Sequence, residues 1–311
     1  EPLGQLAPGA RLLLARHSRR LELWRLAPRA KKKGAKKKGA KRGKSGGRGG
    51  EGSSSGGGGA AAGAAPRAEH LATVDVDSAH NLVCSALSPN GDWLAFADGG
   101  DGVLKLLAVE GAGAHESALE LAPCSVRVAP RGEGKSGRVA RVQRLAFSAD
   151  SRTLVCATDR YADLNELYVI RLTRGGSRAA PDRSASVVHR FRRAEALPNL
   201  NKWWHGADLA NGNGAELAAD GMAPVGASWW GRDDEGDGRA APCTGLAISG
   251  DGQWLAAGDL SNRISVFSLD SHKLHCSLPR FAAQHTAFAF NTNGTSSPML
   301  IVACASNAFY A

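Results

Sequence analysis

Between Arg29 and Arg48 the chain places eleven lysines and arginines and no carboxylate. The block contains Lys31, Lys32, Lys33, Lys36, Lys37, Lys38, Lys41, Arg42 and Lys44. Such a run can neutralise nucleic-acid phosphates and release the counterions condensed on them. No aromatic side chain interrupts it, so it offers no stacking platform, and RNA contact through it is expected to be independent of sequence. The same composition also suits a nuclear or nucleolar address, or a solvated surface insertion with no partner. The formal net charge is +10, and outside this block the chain is close to neutral, so its basic character resides on one loop.

Trp203, Trp204, Trp229 and Trp230 form a second group, in the polar contexts LPNLNKWWHG and GASWWGRDD. Exposed tryptophan pairs can anchor a protein partner. The competing reading has them fold back and staple a long insertion to the rest of the molecule, and a segment of that length needs such an anchor if it is ordered.

Other chemistry finds little support. The nine histidines are scattered, with no helical H-x-x-x-H pair, nucleophile elbow or Walker loop. The six cysteines lack C-x-x-C spacing, which favours buried thiols over zinc or disulfide chemistry. No catalytic residue, metal ligand, cofactor or small-molecule substrate is expected. No apolar run approaches the ~18 residues of a membrane helix.

The elements that carry these residues repeat. SPNGDWLAFADGGDGVLKLL (88–107) and SGDGQWLAAGDLSNRISVFSL (249–269) are near copies. Looser ones are SADSRTLVCATDRYADLNELYVIRL (148–172) and LAPGARLLLARHSRRLELWRL (6–26), and a degenerate copy begins at Asn291. Each has a polar turn, a short apolar run, a second turn rich in Gly, Asp or Asn, and an alternating run, which is the pattern of a strand hairpin. Upstream strands are predicted at Val83–Leu87, Val142–Phe147 and Thr244–Ile248, and an outer one at Lys273–Leu278. Four short antiparallel strands per repeat make one propeller blade. The interval from Ser249 to Asn291 is 42 residues, the length of a WD40 blade.

The fold expected is therefore all-β: about five blade cores of a WD40-type propeller, spread over residues 1–311. Longer intervals place insertions at 28–69 (basic, low-complexity and expected to be disordered), 111–138 (Gly- and charge-rich) and 174–241 (polar, with the Trp pairs). Beginning at Glu1 without Met, and ending at Ala311 where a strand should continue, the chain reads as part of a larger protein whose further blades complete a ring of about seven. His80 and Asp101 match the His and Asp that tie adjacent strands in WD40 blades, with Asn262 in the place of Asp101.

NLVCSALSPNGDWLAFADGGDGVLKLLAV, RVQRLAFSADSRTLVCATD and GLAISGDGQWLAAGDLSNRISVFSLDSHKLHCSLPRF resemble the second propeller of the cirhin family, tandem WD-repeat proteins of the small-subunit processome. HKLHCSLP is the most specific element. The similarity covers the blade cores, about half of the chain, and none of the insertions. It implies a non-enzymatic nucleolar scaffold for small-subunit maturation, the C-terminal propeller of a tandem pair. The partners implied are other WD40 subunits of an early subcomplex, the leader region of pre-ribosomal RNA and its snoRNP, with no membrane. The chain departs from the motif at the Trp-Asp ends: Trp24 is kept, but Leu106, Tyr168 and Phe267 stand in its place elsewhere. Propellers host many functions, and a WD40 adaptor or ubiquitin-ligase substrate receptor that captures peptide motifs is the alternative.

Deleting residues 29–65 is expected to leave the thermal melt unchanged. The same deletion should flatten the salt dependence of RNA binding, measured by filter retention over a salt series.

Overall fold

The computed structural model describes residues 3–26, 68–111, 119–128, 139, 141–158, 166–174, 183–192, 241–291 and 298–311. They form five sheets, antiparallel but for one short parallel pairing, and no helix. The first blade is β1 (Leu3–Ala7), β2 (Leu12–Arg16), β3 (Arg20–Arg25) and β4 (Glu69–Asp75). The second is β5 (Leu82–Leu87), β6 (Trp93–Asp98), β7 (Lys105–Glu110) and β8 (Glu120–Cys124). The short β9 (Val126–Arg127) crosses to the third blade, pairing parallel to its outer strand; that blade is β10 (Val142–Phe147), β11 (Thr153–Thr158), β12 (Glu166–Arg174) and β13 (Arg183–Arg192). The fourth is β14 (Cys243–Ile248), β15 (Trp254–Asp259), β16 (Ile264–Ser268) and β17 (Lys273–Ser277), and the fifth is β18 (His285–Phe290), β19 (Leu300–Cys304) and β20 (Phe309–Tyr310).

The second, third and fourth blades pack both faces, and this explains why their second strands read as unbroken apolar runs. In β6, Trp93, Ala95 and Ala97 join the layer shared with the third blade, while Leu94 and Phe96 join the layer shared with the first. In β11, Leu154 and Cys156 face the second blade, and Val155 and Ala157 face the fourth. The core is thus four layers between five sheets, the last built on Ile264, Phe281 and Val302. Packing runs in chain order along the first strands, β1 on β5, β5 on β10, β10 on β14 and β14 on β18. No contact of that extent joins the first blade to the last among the described residues.

One turn recurs at the entry to the second strand. Ser88, Ser148 and Ser249 are buried, and each hydroxyl accepts the N–H five residues on, from Trp93, Thr153 and Trp254, at 2.9 Å. The hydroxyl in turn donates to Asn90 at 2.8 Å, to Asp150 at 2.5 Å and to Asp251. Those acceptors then take the N–H two residues further, from Asp92, Arg152 and Gln253, at 3.0 Å. The fourth position has positive φ, 79° at Gly91, 61° at Ser151 and 77° at Gly252. Glycine meets that demand without the side-chain penalty that Ser151 carries. Turns of adjacent blades also bond, Gly9 N–H to Pro89 O at 3.0 Å and Asn90 N–H to Ser151 Oγ at 3.1 Å.

The predicted first strands agree with β5, β10 and β14 to within a residue, and Trp93 and Trp254 open equivalent strands. Three expectations change. The strand register places Leu107 and Ile170 at the position of Trp24 and Phe267, not Leu106 and Tyr168. His80 and Asp101 do not bond to each other: His80 is exposed and its N–H meets Ser78 Oγ, while the Asp101 carboxylate accepts from Val103 N–H at 3.0 Å. The residue that ties the second hairpin is the buried Asp98, which accepts from Gly100 N–H at 3.0 Å and from Lys105 Nζ at 3.1 Å. Its counterpart Asp259 accepts from Ser261 and Arg263. Finally, segments 111–138 and 174–241 contain β8, β9 and β13, so part of what reads as insertion is outer strand.

Burial alone would raise the Asp98 carboxyl, but its bonds to Lys105 and Gly100 outweigh that and hold its pKa below the ordinary aspartate value. A depressed folded-state pKa stabilises above the unfolded value and is lost as pH falls through the folded one. Asp98→Asn is therefore expected to cost about 1–2 kcal/mol at neutral pH. Paired thermal melts should show the two proteins converging below about pH 4.

Candidate nucleic-acid interface

Charge is divided sharply between neighbouring blades. Across its described residues the second blade carries five carboxylates (Asp92, Asp98, Asp101, Glu110, Glu120) and one lysine, Lys105. The third blade carries seven arginines against two carboxylates, Asp150 and Glu166, and β9 adds Arg127. Part of this charge is used to join the blades: Arg174 pairs with Asp92 and Arg183 with Glu110. Arg190 lies over the Tyr168 ring, 5.0 Å from its centroid.

Others remain on the rim. The register aligns Thr153, Arg171, Ser186 and Arg127 across β11, β12, β13 and β9 in one row. Residues opposed across a ladder share a face, so Arg171 and Arg127 stand on the same side with Ser186 between them, about 10 Å apart by the spacing of two strand pairs. Both arginines are exposed, as is Arg152 beside Thr153. Alternation creates the row: Ile170 and Leu172 turn into the layer with the second blade, as do Ala185 and Val126 on the neighbouring strands. The intervening residues must then face outward. Thr173 and Ser184 add hydroxyls, 2.6 Å apart. Guanidinium and hydroxyl groups interleaved on one surface are the donors that phosphate oxygens receive. Tyr168 and Phe191 of this sheet are 7% and 5% exposed, Phe147 packs against the layer with the second blade and the His189 ring stacks on His272, so the described face offers donors to phosphate and no free ring for base stacking.

Lys31, Lys32, Lys33, Lys36, Lys37, Lys38, Lys41, Arg42 and Lys44, and likewise Trp203, Trp204, Trp229 and Trp230, lie outside the described residues. The arginines of this sheet were missed because most of them fall in segments that read as insertion. The signal was present in RLTR (171–174) and in HRFRR (189–193), where arginine alternates with apolar residues at strand period. Among the described residues no group of three or more His, Cys, Asp or Glu could hold a metal, and no helix is long and apolar enough to cross a membrane.

Residues 236–268 match the model of the WD domain, G-beta repeat family. Among solved structures, the β-propeller domain of Cps50 (Swd1) from Myceliophteria thermophila superposes with a TM-score of 0.50 at 9% identity, over 98% of this chain and 66% of that one. The chain has the WD40 β-propeller fold. Among curated proteins, this WD40 chain is 24% identical over 228 residues to the U3 small nucleolar RNA-associated protein 4 homolog of Mus musculus and to that of Homo sapiens. The match covers 73% of the chain and 24% of each relative, so it spans about a quarter of their length.

Reversing two rim charges together, Arg127→Glu with Arg171→Glu, is expected to weaken binding of a single-stranded RNA at least tenfold at low salt and to reduce the salt slope by about two. Electrophoretic mobility shifts over a salt series measure both, and the melting temperature should move little because both side chains are exposed.

Proposed function

We propose that this propeller is a non-catalytic scaffold subunit of the small-subunit processome, which holds pre-ribosomal RNA during early assembly of the small ribosomal subunit. The observation that carries this reading is the arginine-rich third blade, set beside an acidic neighbour in a fold distantly similar to U3 small nucleolar RNA-associated proteins. The rim supplies phosphate contacts in sequence-independent positions, and base pairing between RNAs supplies specificity. The lysine block at 31–44 adds a second, longer-reaching electrostatic arm on the same chain. The exposed outer strands suit the other proposed role, contact with neighbouring WD40 subunits and with the snoRNP at the RNA leader. The Trp203–Trp204 and Trp229–Trp230 pairs are the proposed anchors for such protein contacts. The site of action proposed is the nucleolus, and residues 1–311 are the C-terminal propeller of a tandem pair.

A scaffold of this kind should co-sediment with large pre-ribosomal particles on a sucrose gradient, and ribonuclease treatment before loading should move it to light fractions. Sedimentation in light fractions with and without ribonuclease would exclude the reading, and would favour the adaptor alternative.

A further inference from the structure

The five blades are close to symmetric copies, so a position where one blade breaks the pattern points to a local task. One such position lies one residue before the end of the second strand on each complete hairpin. The strand register equates Ala97, Ala157, Gly258 and Ala303, all small, and puts Arg16 at the same place in the first blade. Small residues are needed where the next blade comes close: a Cβ on Gly258 would lie 2.4 Å from His285 Nε2. Arg16 reaches across that same gap. The opposing position on the first strand holds Leu3, Cys84, Gly245 and Ala287, but Arg144 in the third blade.

These two exceptions converge. The ladders skip one residue at equivalent points in the second, third and fourth blades, at Val83, Gln143 and Thr244. A bulge removes that residue from the ladder. All three carbonyls are taken by the two guanidiniums: Arg16 Nη1 donates to Val83 O at 2.7 Å, Arg144 Nη1 to Gln143 O at 2.8 Å and Arg144 Nε to Thr244 O at 2.8 Å. A guanidinium has five N–H donors, so most remain unused. Neither arginine forms an ion pair with a carboxylate among the described residues. Both act electrostatically on the same buried thiol, Cys84, whose pKa burial pushes up to about 12 against their opposing influence. Burial holds Arg16 below its ordinary value, and Arg144 adds to that effect. The pair sits at the end of the inner strands opposite the Ser-Asx turns, and therefore at the other end of the sheets from the Arg127–Arg171 row.

We propose that Arg16 and Arg144 form a receptor for the carboxylate side chain of an acidic peptide, inserted at this end of the inner strands. Two half-buried guanidiniums, held by backbone carbonyls, provide convergent charge-assisted donors at one point. A carboxylate supplies one compact charge there. A nucleic-acid strand presents a row of phosphates that needs cations along an open path, and two guanidiniums at one point do not supply such a path. The open cationic path is the third-blade rim. This inference does not depend on the RNA-binding reading.

The test is fluorescence anisotropy with labelled hexaglutamate, and separately with a labelled single-stranded RNA, on the full chain at low salt. Arg16→Gln and Arg144→Gln keep an amide donor for the carbonyls and remove the charge. Each should weaken hexaglutamate at least about fivefold, the pair should do so at least about tenfold, and RNA binding should be unchanged. The Arg127→Glu, Arg171→Glu variant should do the reverse. Arg16→Lys with Arg144→Lys retains charge and should keep part of the affinity, which gives a readout if the glutamine pair melts early. Three results would overturn the proposal: no hexaglutamate binding by the wild type, equal binding by a folded glutamine pair, or loss of RNA binding in that pair.

Discussion

The buried serine hydroxyl at the start of the first hairpin is the constraint on which each of the three best-formed blades depends. It accepts one backbone N–H and donates to an Asx side chain, and the Asx in turn holds a second N–H. Two side chains, at offsets of zero and two, thus fix the turn by holding the backbone N–H groups at offsets of five and four. Once the turn is set, the second strand has no freedom of register. Its alternate residues are committed to two different neighbours, and a slip by one residue would exchange the two faces. Local hydrogen bonding therefore decides long-range packing in this chain.

Two-sided burial has a further consequence for how polar residues are placed. With both faces of the inner strands covered, charge can reach solvent only at the ends of the inner strands or on the outer ones. The acidic and basic blades meet through Arg174–Asp92 and Arg183–Glu110, pairs that help set the order of neighbours along the chain. Partly exposed pairs of this kind contribute modestly to stability. Their value lies in specifying which sheet lies next to which, since like charges at that border would be repelled.

Much of the fold was legible because its signals are local. The repeated turn, the Trp that follows it and the apolar run of β6 and β15 lie within about ten residues of one another, and each has a direct physical meaning. The outer strands were harder. β8 reads ELAPC and contains Pro123, while β13 reads RSASVVHRFR, with polar residues on its rim. An outer strand buries one face at most, and its weak alternation is hidden by the Gly- and Arg-rich residues around it. The slip at Leu106 and Tyr168 has a similar origin: hairpin turns of different length shift a motif by one or two positions, and only the ladder shows the true partner. The Arg127–Arg171 row and the Arg16–Arg144 pair were beyond sequence reasoning for another reason. Their members lie far apart in the chain and are brought together by parallel pairing in one case and by bulges on neighbouring blades in the other.

The parallel strand β9 gives the third blade a property that its neighbours lack. It leaves the second blade directly after β8 and hydrogen-bonds along Ala185 and Ser186 of β13, so one continuous piece of backbone is shared by two sheets. Opening the border between these blades cannot be a simple parting of side-chain faces, because it must also strip main-chain bonds from the rim. The two blades are therefore expected to open as one cooperative block, with amide protons on both sides of that border exchanging through the same event. The other borders are closed by side chains and turns, and they set the lower limit of cohesion along the arc.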